Sequence, residues 1–126
     1  MVRFVILLLL LAPASMAMAT DYRVKLYFGL STPDGGVSLA DWQAFETDVL
    51  AKTFAGFTVA DSRGYYKGRV ERSKVVTVLT TEKEFPRIDG IARDYTRRFR
   101  QESVMVVKIK VDGVEFISHH QGSEKK

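Results

Sequence analysis

The chain has 126 residues, 46% hydrophobic and 27% charged, with a formal net charge of +4 and no cysteine. This composition excludes a disulfide framework, a thiol nucleophile and a thiolate metal site. The positive excess is small and interleaved with acids, too weak to argue for a nucleic-acid partner.

Arg3 supplies a short basic start, residues 4–11 are an unbroken apolar run, and Ala17-Met18-Ala19 has the small-x-small spacing of a signal-peptidase site. The run is far short of the roughly 20 residues that span a bilayer. Residues 1–19 are therefore expected to be a cleaved secretory signal, with export to the periplasm or beyond. No cysteine follows the run, which excludes a lipoprotein anchor. Cutting 19 of the 126 residues leaves 107, Thr20 to Lys126, and removing Arg3 lowers the charge to +3. That is one domain, with no membrane span after cleavage.

Residues 22–28 alternate. Tyr22, Val24, Leu26 and Phe28 share one face, and Arg23, Lys25 and Tyr27 the other, which predicts a half-buried strand. Pro33-Asp34-Gly35-Gly36 breaks it. Ser38 to Asp41 has capping-box spacing, with Asp in place of Glu, and opens a helix to about Phe54. Its apolar stripe is Trp42, Phe45, Val49 and Leu50. Residues 57–61 and 74–81 predict two strands around a long charged hairpin containing Gly64 and Gly68, with a short, ragged extension of the strands. A second helix is expected over 83–100, with Pro86 fitting its first turn. Its face is Phe85, Ile88, Ala92, Tyr95 and Phe99. Residues 103–111 predict a strand, Asp112-Gly113 a tight turn, and 114–118 a fifth strand returning along it. The tail from about 119 is expected to fray.

The first six elements have the order of a ferredoxin-like β-α-β-β-α-β unit. The expected fold is α+β, a two-layer sandwich with an antiparallel sheet extended by the C-terminal hairpin strand. That topology brings three connections to one edge: residues 31–37, 61–73 and 101–103. The edge collects Asp34, Asp61, Arg63, Glu71, Arg72, Ser73, Lys74, Gln101 and Glu102.

Two descriptions of this edge stay open. Pro-Asp-Gly-Gly suits a tight turn, although its amides and the following helix start could hold an anion. Glu71, Lys74 and Glu102 could close the sheet end as an ion-pair network, or belong to a ligand site. Elsewhere the chain offers little chemistry. His119 and His120 are adjacent and in a strand would point to opposite faces, so they cannot chelate one metal as a pair. No zinc set and no Ser-His-Asp set is credible, and no cofactor is implied. Arg87, Arg93, Arg97, Arg98 and Arg100 form a basic helix surface without interleaved aromatics for base stacking.

The stretches "LYFGLSTPDGG", "WQAF", "FTVADSRGYY", "ERSKVV" and "RRFRQESVMVV" resemble a bacterial family of small exported proteins, domain-of-unknown-function family 3574. The resemblance covers residues 22–117. It includes Tyr27-Phe28-Gly29, Trp42, Gly64, Glu71-x-Ser73-Lys74 and Gln101-Glu102-Ser103-Val104. In that family the hairpin glycine is often followed by Trp; here Tyr65 and Tyr66 follow. "FAGFTV" stands where the family tends toward Pro-Asp-Gly. The resemblance implies export and a small α+β domain, and brings no activity.

The leading expectation is a non-catalytic domain that binds a small ligand or envelope protein at the polar edge. Glu71 and Glu102 would supply negative charge there, Arg63 and Lys74 positive charge. A second is a small-molecule enzyme in a dimer pocket, with Glu71 or Glu102 as general acid/base beside Lys74. A third is binding of an anionic polymer or surface by the arginine-bearing helix. A homodimer paired through its sheets is compatible with the fold.

Overall fold

The structure, a computed structural model, describes residues 21–119. The proposed signal segment and the tail from His120 lie outside the described residues. Strand β1 is Asp21–Gly29. Helix α1 is built of three consecutive segments, Leu39–Phe45, Glu46–Leu50 and Ala51–Thr53. Strands β2 and β3 are Thr58–Tyr66 and Arg69–Thr81. A 3₁₀ turn, Glu82–Glu84, leads into α2, Phe85–Phe99, and β4 is Met105–Lys110.

The sheet is antiparallel with order β2-β3-β1-β4. This is the ferredoxin-like arrangement, with both helices on one face. Val24, Leu26 and Phe28 of β1 and Val76 and Val78 of β3 point to that face. Trp42, Phe45 and Leu50 of α1 and Ile88, Ile91, Ala92 and Tyr95 of α2 cover them. Phe28 lies 4.7 Å from the Tyr95 ring and 5.6 Å from Trp42, and Tyr95 lies 5.1 Å from Phe45. Such tilted and edge-on pairs contribute about 0.5–1.5 kcal/mol each beyond burial.

Helix α1 starts as its sequence predicts: the Asp41 N–H donates to Ser38 Oγ at 3.0 Å. It then departs from a regular helix. The Ala51 N–H donates to the carbonyl of Glu46, five residues back, so Glu46–Leu50 is one wide π turn. The wide turn brings Phe45 and Leu50, five apart and both fully buried, onto the same face, and leaves Val49 at its margin. Helix α2 keeps the expected face and carries Pro86 in its first turn. It ends on Arg100, which holds a left-handed conformation (φ 55°, ψ 45°).

Two expectations are corrected. The hairpin is not ragged. β2 and β3 pair without interruption to Tyr66 opposite Arg69, joined by Lys67-Gly68, both at positive φ. Positive φ at both central residues is the requirement of the two-residue hairpin turn that matches strand twist. The fifth strand is absent. Residues 114–118 alternate but form no strand among the described residues, and β4 ends the sheet. Alternation makes a segment strand-competent, but no turn at Asp112-Gly113 folds it back onto its own β4.

Candidate functional site

The predicted edge separates into a knot, an arm and a recess. The knot fastens residues 29–37 to the end of α2. Inside the loop, the Val37 N–H donates to the Leu30 carbonyl at 2.8 Å and the Gly35 N–H to the Thr32 carbonyl at 3.1 Å. The Asp34 N–H donates to Thr32 Oγ1 at 3.2 Å. The Asp41 amide is taken by Ser38 Oγ and the Trp42 amide by the Ser38 carbonyl. The amides of Asp34, Gly35, Val37, Asp41 and Trp42 are thus used internally, and the break at Pro33-Asp34 forms a turn.

Three side chains tie this turn down. Tyr95 Oη donates to the Gly29 carbonyl at 2.6 Å. Gln101 Nε2 donates to the Ser31 carbonyl at 2.5 Å and the Phe99 carbonyl at 3.2 Å. Arg100 pairs with the Asp34 carboxylate. A Cβ at Gly29 would come within 2.7 Å of Gln101 Oε1, so the Gln101 side chain would have to shift to admit it. Asp34 and Gln101 therefore serve the architecture. Tyr95 is fully buried, and that burial pushes its phenol pKa well above the ordinary value.

The arm is the outer half of the β2–β3 hairpin. β1 accompanies β3 only as far as Gly29 opposite Ser73. Beyond that pair β2 and β3 run on as a two-stranded ribbon. At its root Lys74 Nζ meets Asp61 Oδ1 at 2.6 Å, directly across the strands. Further out, Arg63 stands opposite Arg72, Gly64 opposite Glu71, and Tyr65 opposite Val70. From 62 to 73 the ribbon carries Arg63, Lys67, Arg69 and Arg72 against one carboxylate, Glu71. Among the described residues no carboxylate lies within ion-pair distance of these four cations. The tip exposes apolar surface as well, with Tyr65 69%, Tyr66 61% and Val70 50% accessible. Lys67 Nζ sits 5.4 Å from the Tyr66 ring.

Helix α2 gives the opposite picture. Arg87 pairs with Glu84, Arg97 and Arg98 with Asp94, and Arg100 with Asp34. Arg98 also lies over the Phe45 ring. Arg93 alone among these arginines has no carboxylate partner among the described residues. The i,i+3 and i,i+4 acid–base spacing in "RDYTRR" is a sequence signal for this self-neutralisation. The opposed Arg63 and Arg72 emerge only once the Lys67-Gly68 turn fixes the hairpin register.

Glu102 joins neither the arm nor the knot. It lines a shallow recess of about 330 Å³ between α2 and β4 with Arg93, Thr96 and Ser103. The Glu71–Lys74–Glu102 network does not form: Lys74 pairs with Asp61, and Glu71 lies on the other face of the ribbon. A second shallow recess, about 310 Å³, lies between the end of α1 and β3, beside Glu84 and Arg87. Among the described residues no charged side chain is buried, and no group of three or more His, Asp or Glu could hold a metal. No helix among them is long and apolar enough to cross a membrane.

The sequence profile of a family described as "Protein of unknown function (DUF3574)" matches residues 23–116. No curated protein matches. Among solved structures, a phage SAM lyase in complex with S-methyl-5'-thioadenosine is similar at TM-score 0.53 and 15% identity, over 82% of this chain and 100% of the lyase. CutA1 from Oryza sativa is similar at TM-score 0.43 and 11% identity, over 79% of this chain and 87% of that chain. The likeness to the lyase, at TM-score 0.53, shows the fold.

Proposed function

Because the chain belongs to the DUF3574 family, whose description assigns no activity, its function has to be argued from its own surface, and we propose that it is an exported, non-catalytic module that docks on an anionic phospholipid surface of the cell envelope through the β2–β3 arm. The observation that carries this reading is the Arg63–Arg72 pair. Like charges directly opposite on neighbouring strands destabilise a sheet. Here they stand without a counter-ion among the described residues, on a ribbon that the core does not need. A phosphate placed between them relieves the repulsion and accepts hydrogen bonds from two guanidinium groups. Tyr65, Tyr66 and Val70 beside them suit the interfacial layer of a bilayer, where an amphipathic ring has one end apolar and one end wet. A purely polar polymer gives that apolar tip no use.

The non-catalytic part is supported by the carboxylates. Glu71 and Glu102, the two that a general acid/base mechanism would use, are exposed on separate elements, and the recess beside Glu102 is shallow. Export is supported by the signal-like residues 1–19. The likeness to the phage lyase, at 15% identity, carries the fold and not the substrate.

The test is co-sedimentation of residues 20–126 with vesicles of phosphatidylcholine alone, or mixed with phosphatidylglycerol. Each basic residue near an anionic leaflet contributes about 1 kcal/mol, so the Arg63→Glu/Arg72→Glu variant should bind mixed vesicles at least tenfold more weakly. Added salt should weaken the wild type, and neutral vesicles should not retain it. Equal retention of wild type and variant, or no retention on the mixed vesicles, overturns the proposal.

A further inference from the structure

A different part of the molecule carries a second interaction, independent of the arm. β4 is the last strand of the sheet, so among the described residues the backbone groups of Met105–Lys110 on its outer side have no strand partner. An open edge of this kind is a template for another strand. Immediately after it the same chain presents a strand-competent segment that exposes Phe116 and Ile117. The Val111 N–H still reaches the Asp21 carbonyl at 3.0 Å. Beyond it Phe116 is 88% accessible and Ile117 83%, the most exposed large apolar residues among those described.

We infer that residues 114–118 of one chain add as an edge strand to β4 of a second copy, and that the second copy returns the same contact. The two surfaces alternate in matching ways. Along β4, Met105, Val107 and Ile109 face the side of the sheet that the helices leave open, while Val106, Lys108 and Lys110 face the helix side. Along the segment, Val114 and Phe116 share one side, and Glu115 and Ile117 lie on the other. Pairing that sets Val114 and Phe116 beside Val107 and Ile109 also sets Glu115 beside Lys108 or Lys110. A slip of one residue puts Phe116 among the lysines and Glu115 on apolar surface, because side chains alternate with period two. Val114, Phe116 and the Glu115 charge therefore select the same parity, with Ile117 on the lysine side. Reciprocal exchange closes the assembly as a two-fold dimer, with no free β4 edge to propagate a fibre. The occupant is a second copy: within one chain, the Asp112-Gly113 turn that would fold the segment back onto its own β4 does not form.

The test is light scattering of residues 20–126 across a dilution series, beside Phe116→Asp and Glu115→Lys. The wild type should have twice the chain mass and dissociate on dilution. Phe116→Asp should be monomeric at every concentration, because it places a carboxylate on the apolar side of the pairing. Glu115→Lys should raise the dissociation constant at least tenfold by setting like charges side by side. Both sites are exposed in the single chain, so both variants should keep the wild-type far-ultraviolet circular dichroism. A monomeric wild type overturns the inference, and so does a dimer that both substitutions leave intact.

Discussion

Replacing Tyr95 with Phe tests the knot. The ring contacts to Phe28, Phe45 and Phe99 would persist, and only the bond from Oη to the Gly29 carbonyl, 2.6 Å long, would be lost. Gly29 lies beyond the last β1–β4 pair, Tyr27 with Met105, so that ladder offers its carbonyl no replacement. A buried acceptor left without a donor costs about 1–3 kcal/mol. In a domain of about 100 residues each kcal/mol is worth roughly 4–8 °C, so the midpoint at pH 7 should fall by roughly 4–24 °C. The pH dependence adds a second readout. Burial holds the Tyr95 phenol above its ordinary value near 10. Its contribution is fully present below that value. Above it, the unfolded chain releases the proton while the native chain keeps it, so wild-type stability falls by about 1.4 kcal/mol per pH unit. The Phe variant lacks this slope. Urea unfolding followed by the fluorescence of Trp42, whose ring lies 6.2 Å from Tyr95, should show a constant gap from pH 7 to 9 that closes above about 10. Equal midpoints at pH 7, or a gap unchanged at pH 11, would refute the reasoning.

Four further outcomes are expected in thermal unfolding. Lys67→Asn should raise the midpoint by a few degrees, because the left-handed conformation costs most side chains about 1 kcal/mol and Asn tolerates it. Gly29→Ala should destabilise the wild type but cost much less in a Gln101→Ala background, since its Cβ collides with Gln101 Oε1; additive costs would contradict that geometry. Glu71→Gln and Glu102→Gln should stay within about 0.5 kcal/mol of the wild type. Lys74→Ala should lose less than about 1 kcal/mol, the usual worth of an ion pair whose acid is exposed; a loss of several degrees for either Glu variant would show a network that the structure lacks.

The legible parts of the fold were those fixed by local chemistry. Ser38 caps α1 because its hydroxyl reaches the Asp41 amide, a relation contained within four residues. Pro86 and the Phe85-to-Phe99 face likewise define α2 without outside help. The π turn was hidden because a five-residue step between Phe45 and Leu50 has no meaning until the sheet demands both side chains on one face. The segment 114–118 misled because alternation reports strand competence and not the presence of a partner. At the polar edge, topology brought the right loops to one end, but register decided who meets whom. Gly64 drew attention as a turn residue, although Gly68 holds the positive φ. A turn at Lys67-Gly68 sets Asp61 opposite Lys74 and Arg63 opposite Arg72.

The two-residue tip has a consequence for proteolysis. Lys67 and Arg69 are trypsin sites at the outermost point of the ribbon, where no third strand shields the backbone. A cut after Lys67 divides the chain between β2 and β3, yet every residue from Thr58 to Asp61 stays paired with β3 alongside β1. The nicked protein should therefore remain one folded particle of two non-covalently associated fragments, with β1, α1 and β2 in one and β3, α2 and β4 in the other. Each fragment would carry one arginine of the Arg63–Arg72 pair, so the domain could be split and reassembled across its own recognition element.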